Sequence, residues 1–186
     1  MSSIFIHSRR GQTLVEALVA LSILTTGFIG IVGLLNKSFQ LNRTTTDDTQ
    51  ATYLAAEGIE ITKSLIDHDV YTGLAGGNND FGACFPSSGY YYPIDIETTD
   101  CASLLMNSPN NPPNTPLFLK PNIIGGVTTA YLFTTDSFGA APTDFVRNIE
   151  VVNNGNELDV QSTVIWTSGP LSNTITLEDH FYNWHP

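Results

Sequence analysis

Positive charge is scarce in this chain. Its 186 residues hold 7 Lys and Arg against 18 Asp and Glu, which gives a formal net charge of −11. Neutralising nucleic-acid phosphates requires Lys and Arg in quantity. The composition therefore argues against a protein that binds nucleic acid over its whole surface, and we expect no direct nucleic-acid partner.

Cysteine is equally scarce. Two cysteines are too few for a Cys-rich zinc module or for a scaffold held together by many disulfides. The length allows one modest domain plus an extra element, but not two full domains. These limits favour a small protein with one hydrophobic core.

Sequence signals of catalysis are also missing. The chain contains no G-x-S-x-G elbow, no phosphate-binding glycine loop and no H-E-x-x-H pair. Its histidines, which show no metal-ligand spacing with cysteines or carboxylate clusters, are His7, His68, His180 and His185. The carboxylate pairs Asp144 with Glu150 and Glu178 with Asp179 fit exposed strand ends and turns. We therefore predict a protein that is not an enzyme and that holds no cofactor or metal ion.

What the chain does have is a long apolar run near its start. Gln12 to Leu35 contains 24 residues and a single charge, Glu16. As a helix this run would be about 36 Å long, enough for a hydrocarbon core of about 30 Å. A secretory signal peptide would carry a shorter apolar region and a closing A-x-A site, and neither is present. The pattern predicts a retained membrane helix over residues 12–35.

Glu16 is unusual in such a run, because a carboxylate in a membrane helix is costly unless it is hydrated or paired. It could lie at headgroup depth and be hydrated. Alternatively, cleavage after Gly11 would give Gln12 a free ammonium group four residues before Glu16. That amine could pair with Glu16 of the same chain or of the next subunit in a stack of parallel helices.

The segment Arg9–Ala20 reads RRGQTLVEALVA and closely resembles the class III signal of type IV prepilins and type II secretion pseudopilins. In that family a membrane peptidase cuts after the glycine and methylates the new amino terminus. The resemblance implies a leader of residues 1–11 ending at Gly11, a methylated N-terminus at Gln12, and a role for Glu16 in guiding assembly. The chain departs from the family at Gln12, where Phe or another apolar residue is usual.

Residues 36–66 predict a helical spine that continues from the membrane helix. The segment contains no proline, and one stripe carries small or apolar residues at helical spacing: Ala51, Leu54, Gly58, Ile61 and Leu65. The stretch Ala51–Glu60 is similar to the region after the membrane helix in minor pilins and pseudopilins. Asp67, His68 and Asp69 predict the end of the helix as a solvated terminus.

Residues 67–186 predict an acidic globular head whose residues 70–121 are irregular, because Gly, Asn and Pro clusters interrupt them. Cys84 and Cys101 enclose sixteen residues of this segment. Outside the cytoplasm a bridge between them would stabilise the fold by roughly 3 kcal/mol. The other interpretations are two free thiols or a redox pair, but the C-x-x-C spacing of a redox pair is absent.

Residues 127–184 alternate between apolar and polar side chains and predict an antiparallel sheet of three or four strands. The alternating sets are Val127, Tyr131 and Phe133; Leu158, Val160, Val164 and Trp166; and Ile175, Leu177 and Phe181. One face of this sheet should be covered by the helical stripe. The expected fold class is α+β, with a long N-terminal helix packed on a C-terminal antiparallel sheet, as in pilin-like proteins.

The resemblance implies a structural subunit of a type IV pilus or pilus-like filament, which we interpret as a minor pilin. A pseudopilin of a type II secretion or competence system is the alternative. A single-pass anchored adhesin or binding module, and last a membrane-tethered hydrolase, are further alternatives. The implied partners are other pilin-like subunits, a prepilin peptidase and membrane lipid. The implied location is the cytoplasmic membrane with the head outside, and then a surface filament.

Overall fold

The computed structural model describes residues 12–76, 81–85, 90–99, 104, 115–168 and 171–184. One helix, α1 (Gln12–Gly76), precedes six strands: β1 (Tyr90–Tyr92), β2 (Pro116–Ile124), β3 (Val127–Thr134), β4 (Ala141–Asn153), β5 (Glu157–Ser168) and β6 (Leu171–Tyr182). The chain divides into two compact units, Met1–Thr46 and Asp47–Pro186, and the boundary falls within α1. The predicted α+β class, a long N-terminal helix and a C-terminal antiparallel sheet, is confirmed.

The described part of the first unit is the apolar portion of α1. Its side chains are exposed from Thr13 to Thr46, including large apolar groups such as Leu24, Phe28 and Leu34. By length and composition this is the one helix among the described residues that could cross a membrane, with a mean hydropathy of 2.3 over its most apolar window. None of that window is buried within the protein, so it is not a core helix.

The hydroxyl groups within the apolar portion are satisfied by the helix itself. Ser22 donates to the carbonyl of Val19 at 2.8 Å, and Thr26 donates to the carbonyl of Ser22 at 2.7 Å. Thr25 donates to the same Ser22 carbonyl at 3.0 Å. In a medium without water, every polar group must find an internal partner. These hydroxyls therefore remain compatible with burial in lipid.

The second unit is built around β4, the longest strand. The strand order in the sheet is β3-β2-β4-β5-β6, with every pairing antiparallel. β5 pairs along most of one edge of β4, whereas β2 and β1 share the other edge. β2 takes the first part of β4 and β1 takes the part around Ile149 to Val151. This arrangement brings β1, which lies in the segment that the sequence predicts to be irregular, into the centre of the sheet.

The C-terminal half of α1 packs on one face of this sheet. Between Ala51 and Ile66 the buried positions of the helix are Ala51, Leu54, Ala55, Gly58, Ile59, Thr62, Leu65 and Ile66. They face alternate residues of β5, of which Leu158, Val160, Val164 and Trp166 are buried as their alternation predicted. Ile61, assigned to the stripe from the sequence, is only partly buried. The stripe runs instead through Ile59 and Thr62, because positions three and four apart share a helix face.

Gly58 marks the closest approach of helix and sheet. A Cβ atom at this position would lie 2.6 Å from Ser162 Oγ, 3.1 Å from Ile149 Cδ1 and 3.2 Å from Arg147 Cδ. Real Cβ contacts are longer than the first of these, so a side chain here would push the elements apart. Glycine therefore sets the helix-to-sheet distance, at the cost of a weaker helix.

Arg147 on β4 is a buried cation that joins three parts of the head. Its Nη1 donates to the carbonyl of Leu54 at 3.0 Å and to Glu57 Oε2 at 3.1 Å, and its Nη2 donates to the carbonyl of Ile94 at 2.9 Å. Burial lowers the pKa of Arg147, and the carboxylate of Glu57 opposes this shift. An arginine remains protonated regardless. The guanidinium thus fastens α1 and the segment before β2 to the sheet.

Asp95 is a buried anion in the segment that follows β1. Its Oδ2 accepts from Thr134 Oγ1 at 2.9 Å, from the Thr135 N–H at 2.7 Å and from Thr135 Oγ1 at 2.8 Å. Its Oδ1 accepts from Thr98 Oγ1 at 3.1 Å. Burial pushes the pKa of Asp95 up, but the bonds from Thr135, Thr134 and Thr98 outweigh it and hold the pKa below its ordinary value.

The helix does not end at Asp67–Asp69 as the sequence predicted, but continues to Gly76. Leu65 and Ile66 are in the core, so packing holds the helix through the polar triplet. Asp69 also has a role inside the fold, because its Oδ2 accepts the backbone N–H of Cys84 at 3.3 Å. Tertiary contacts therefore override a local end signal.

The predicted irregular segment 70–121 contains the end of α1, all of β1 and the first part of β2. Within the described part of the chain the sheet has six strands rather than three or four, and it begins before residue 127. β2 was not predicted from the sequence because it contains two prolines, which normally argue against a strand. Pro116 is its first residue, and Pro121 lies beyond Leu119, where β2 pairs with β3 but no longer with β4. A proline is tolerated where one edge of a strand is open.

Candidate processing and assembly site

The candidate site lies at the start of α1. The helix begins at Gln12, the residue after Gly11, while Gly11 and the rest of the leader lie outside the described residues, as does the side chain of Gln12. Cleavage after Gly11 would therefore make the first residue of the helix the N-terminus of the mature chain. That cleavage, and methylation at Gln12, stay predictions.

Glu16 follows Gln12 by four positions on this helix. Residues four apart lie on the same face, and their α-carbons are about 6 Å apart along the axis. A new amine at Gln12 and the Glu16 carboxylate would thus be within reach of each other. The helix supplies the geometry that the pairing requires.

Glu16 has no cationic partner in the part of the chain that the structure describes. The next cation along α1 is Lys37, which is about 30 Å further along the helix axis. Around Glu16 the exposed side chains are apolar, among them Val15, Leu18 and Val19. A carboxylate in such surroundings needs a cation from elsewhere once water is excluded.

The predicted disulfide falls partly within the described residues. Cys84 is buried and disulfide-bonded, which excludes the free-thiol interpretation for this residue. Cys101, the partner predicted from the sequence, lies outside the described residues. The Cys84–Cys101 pairing therefore stays a prediction.

The fold also brings together side chains from two different strands that the sequence did not indicate as a group. Asp159 on β5 lies directly opposite His180 on β6, and together with Glu178 they could hold a metal ion, since one ligand atom from each lies within 4.8 Å of the others. Spacing along the chain gave no such signal. Only the register between β5 and β6 reveals the group.

The comparisons with known proteins agree with the signal at the start of the chain. A family model described as the prokaryotic N-terminal methylation motif matches residues 6–32. No curated protein and no solved structure matches the chain. The motif and the fold point to a structural subunit and not to a known class of enzyme. The chain carries the prokaryotic N-terminal methylation motif at the start of a long helix that continues into an α+β head, consistent with a type IV pilin-like protein, either a pilin or a pseudopilin.

Proposed function

We propose that the protein is a minor structural subunit of a type IV pilus or pilus-like filament. It is made as a precursor, cleaved after Gly11 and methylated at Gln12. Its apolar helix is held in the cytoplasmic membrane, with the head outside, until the subunit is drawn into the filament. Residues 12–35 then pack against the same segment of neighbouring subunits.

The observation that carries this proposal is the combination of the methylation motif with a helix whose apolar side chains are not buried by the rest of the described protein. The motif spans residues 6–32, and in the same segment the described side chains of α1 are exposed and mostly apolar. An exposed apolar surface of this extent marks a site of interaction with lipid or protein. In the proposed life cycle, lipid covers this apolar surface first, and the helices of neighbouring subunits cover it after assembly.

Glu16 gives the proposal its mechanism. In the membrane only the processed amine of its own Gln12 can reach this carboxylate, whereas in a filament the methylated amine of a neighbouring Gln12 can reach it as well. The desolvation of a buried charge costs several kcal/mol, and a matched partner offsets much of this. Assembly therefore depends on Glu16 and on the processed N-terminus together.

The minor role rests on the segment between α1 and β2, which the sequence predicts to be largely irregular. Residues 77–115 include a single short strand, β1, among those that the structure describes. Long irregular segments in compact domains usually carry function. A head shaped by such a segment suits a subunit with a special position better than one repeated along the whole filament.

The first test is mass spectrometry of the intact protein and its N-terminal peptide, purified from native membranes. We expect a chain that begins at Gln12 and carries one methyl group on its amine. Gly11→Val should leave the leader attached, whereas the matched variant Gln12→Phe should still be cleaved. Retention of Met1–Gly11 in cells with an active prepilin peptidase would overturn the proposal and favour the anchored binding module. A mature chain whose Gln12 has cyclised to pyroglutamate would remove the cation proposed for Glu16.

The second test separates assembly from folding. Glu16→Val should strongly reduce the amount of subunit in sheared filaments, while the urea midpoint of the head stays unchanged, because Glu16 lies outside the compact unit that forms the head. Glu60→Val is the matched control, since Glu60 is an exposed glutamate on the same helix. Normal assembly of the Glu16→Val protein would refute the pairing.

A further inference from the structure

The outer face of the sheet, opposite α1, carries a cluster of polar side chains on β5 and β6. Alternate residues of β5 from Leu158 onward are buried towards the helix, so Glu157 and Asp159 point to the other face. The register pairs Asp159 with His180 and Gln161 with Glu178. Glu157, Asp159, Glu178 and His180 therefore share one patch, which we call the β5–β6 cluster.

Both nitrogens of His180 face carboxylates in this cluster. Nδ1 lies 3.0 Å from Glu157 Oε1, and Nε2 lies 3.2 Å from Glu178 Oε1. A neutral imidazole can donate from only one nitrogen. With Nδ1–H donated to Glu157, the lone pair of Nε2 would face the oxygen of Glu178, which is repulsive unless a cation lies between them.

Asp159 supplies an independent sign of a missing partner. Its Oδ1 is buried and has no hydrogen-bond partner among the described residues. A buried carboxylate oxygen without a partner is costly. One ligand atom each from Asp159, Glu178 and His180 lies within 4.8 Å of the others, so a cation that satisfied Asp159 could contact Nε2 and Glu178 as well.

We propose that the β5–β6 cluster binds a divalent transition-metal ion of the zinc class. Asp159, Glu178 and His180 Nε2 are the ligands, and water completes the coordination. Calcium and magnesium prefer oxygen ligands alone, whereas zinc takes imidazole nitrogen together with carboxylate oxygen. Tetrahedral zinc with bonds of about 2.0–2.1 Å holds its ligand atoms about 3.3 Å apart. The exposed ends of Glu178 and His180 need to move inward by only about 1 Å.

Glu157 acts in this site as a positioning residue. Its carboxylate accepts the Nδ1–H of His180, which leaves Nε2 free to bind the metal, an arrangement that is common for metal-binding histidines. Gln161 Nε2 donates to Glu178 Oε2 at 3.4 Å and leaves Oε1 for the ion. The bound ion would join β6, an edge strand of the sheet, to β5.

The test is a calorimetric titration of Zn²⁺ into the full chain in detergent micelles, after removal of metals with EDTA. We expect one ion per chain and a higher midpoint of thermal unfolding. His180→Gln and Asp159→Asn should each weaken zinc binding by more than about 100-fold, and Glu157→Gln by about 10-fold, as loss of an outer partner typically does. His68→Gln and Asp179→Asn are the matched controls, since His68 lies on α1 and Asp179 on the opposite face of β6.

Two outcomes would overturn the site. One is the absence of stoichiometric binding, or binding that His180→Gln and Asp159→Asn leave unchanged. The other is a nuclear magnetic resonance spectrum in which His180 stays doubly protonated in the presence of Zn²⁺, which would show that a proton is the cation between the carboxylates. Both results would leave the proposed filament role untouched, because that role depends on the N-terminal helix.

Discussion

Replacement of Arg147 by methionine should destabilise the head by about 3 kcal/mol. Methionine has a similar length and fills the apolar part of the site, but it cannot donate. The change removes the three hydrogen bonds to Leu54, Glu57 and Ile94. Bonds that involve a charged group contribute about 1.5–3 kcal/mol each, and losing one partner of a buried ion pair costs about 3–5 kcal/mol.

The structure places the expected value at the lower end of that range. The side chain of Arg147 is 1% exposed and that of Glu57 is 31% exposed. Once Arg147 is gone, the carboxylate of Glu57 can be hydrated, whereas the carbonyl of Ile94 loses a bond in the interior. For the same reason Glu57→Gln should cost only about 1 kcal/mol, since Arg147 keeps both carbonyl partners.

Urea unfolding of the full chain in detergent micelles, followed by the fluorescence of buried Trp166, measures this effect. With a slope of about 2 kcal/mol per M, a loss of about 3 kcal/mol lowers the midpoint by about 1.5 M. Arg43→Met is the matched control on an exposed arginine of α1 and should change little. A midpoint for Arg147→Met within about 0.3 M of the unaltered protein would refute the reasoning. It would mean that removing the buried charge stabilises the head by about as much as the loss of its hydrogen bonds destabilises it.

Three further changes test the head. Reduction of the disulfide at Cys84 should lower stability by about 3 kcal/mol, and peptide mapping without reductant should recover Cys84 linked to Cys101. The pKa of Asp95 is lowered in the fold, so its contribution to stability is present above the unfolded pKa of about 3.9 and is lost as pH falls through the folded pKa. Asp95→Asn should therefore make the stability of the head depend less on pH in this acidic range. Gly58→Ala should cost about 1–3 kcal/mol from overpacking, despite a helix gain of about 1 kcal/mol, and Ser162→Gly in the same chain should restore part of it.

Each of these expectations has a result that contradicts it. Equal unfolding midpoints with and without reductant would show that the disulfide constrains little. If Asp95→Asn lost stability at acidic pH as much as the unaltered protein does, that loss would have to come from other carboxylates. Asp144→Asn, on an exposed residue, is the control. A Gly58→Ala protein that is more stable than the original would show that helix and sheet separate at little cost.

The start of the chain was predictable because its signals are local. Gly11, Gln12 and Glu16 lie within six residues of one another, and the apolar run follows directly. A single chain segment therefore carries both the processing motif and the helix that the motif requires. No contact with the rest of the molecule is needed to recognise it.

The elements that escaped prediction depend on contacts made across the chain. The polar triplet Asp67–Asp69 lies within the helix because Leu65 and Ile66 pack in the core. β1 is only three residues long and exists through its pairing with Ile149 to Val151 of β4. Likewise, Asp159 and His180 face each other only once the register of β5 and β6 is set. Such features follow from tertiary structure, which periodicity in one segment does not contain.

The two units of the chain draw their stability from different sources, and this difference gives assembly its direction. The head has its own core, whereas residues 13–46 of α1 leave their side chains exposed. Lipid tails and neighbouring helices are about equally apolar, so moving the apolar side chains of residues 13–35 from one to the other changes their free energy little. Glu16 is the exception, because in lipid only the amine of its own processed chain can reach it, whereas in the filament the processed N-terminus of a neighbouring subunit can pair with it as well. In the proposed filament, one carboxylate among many apolar groups therefore favours the assembled state over the membrane.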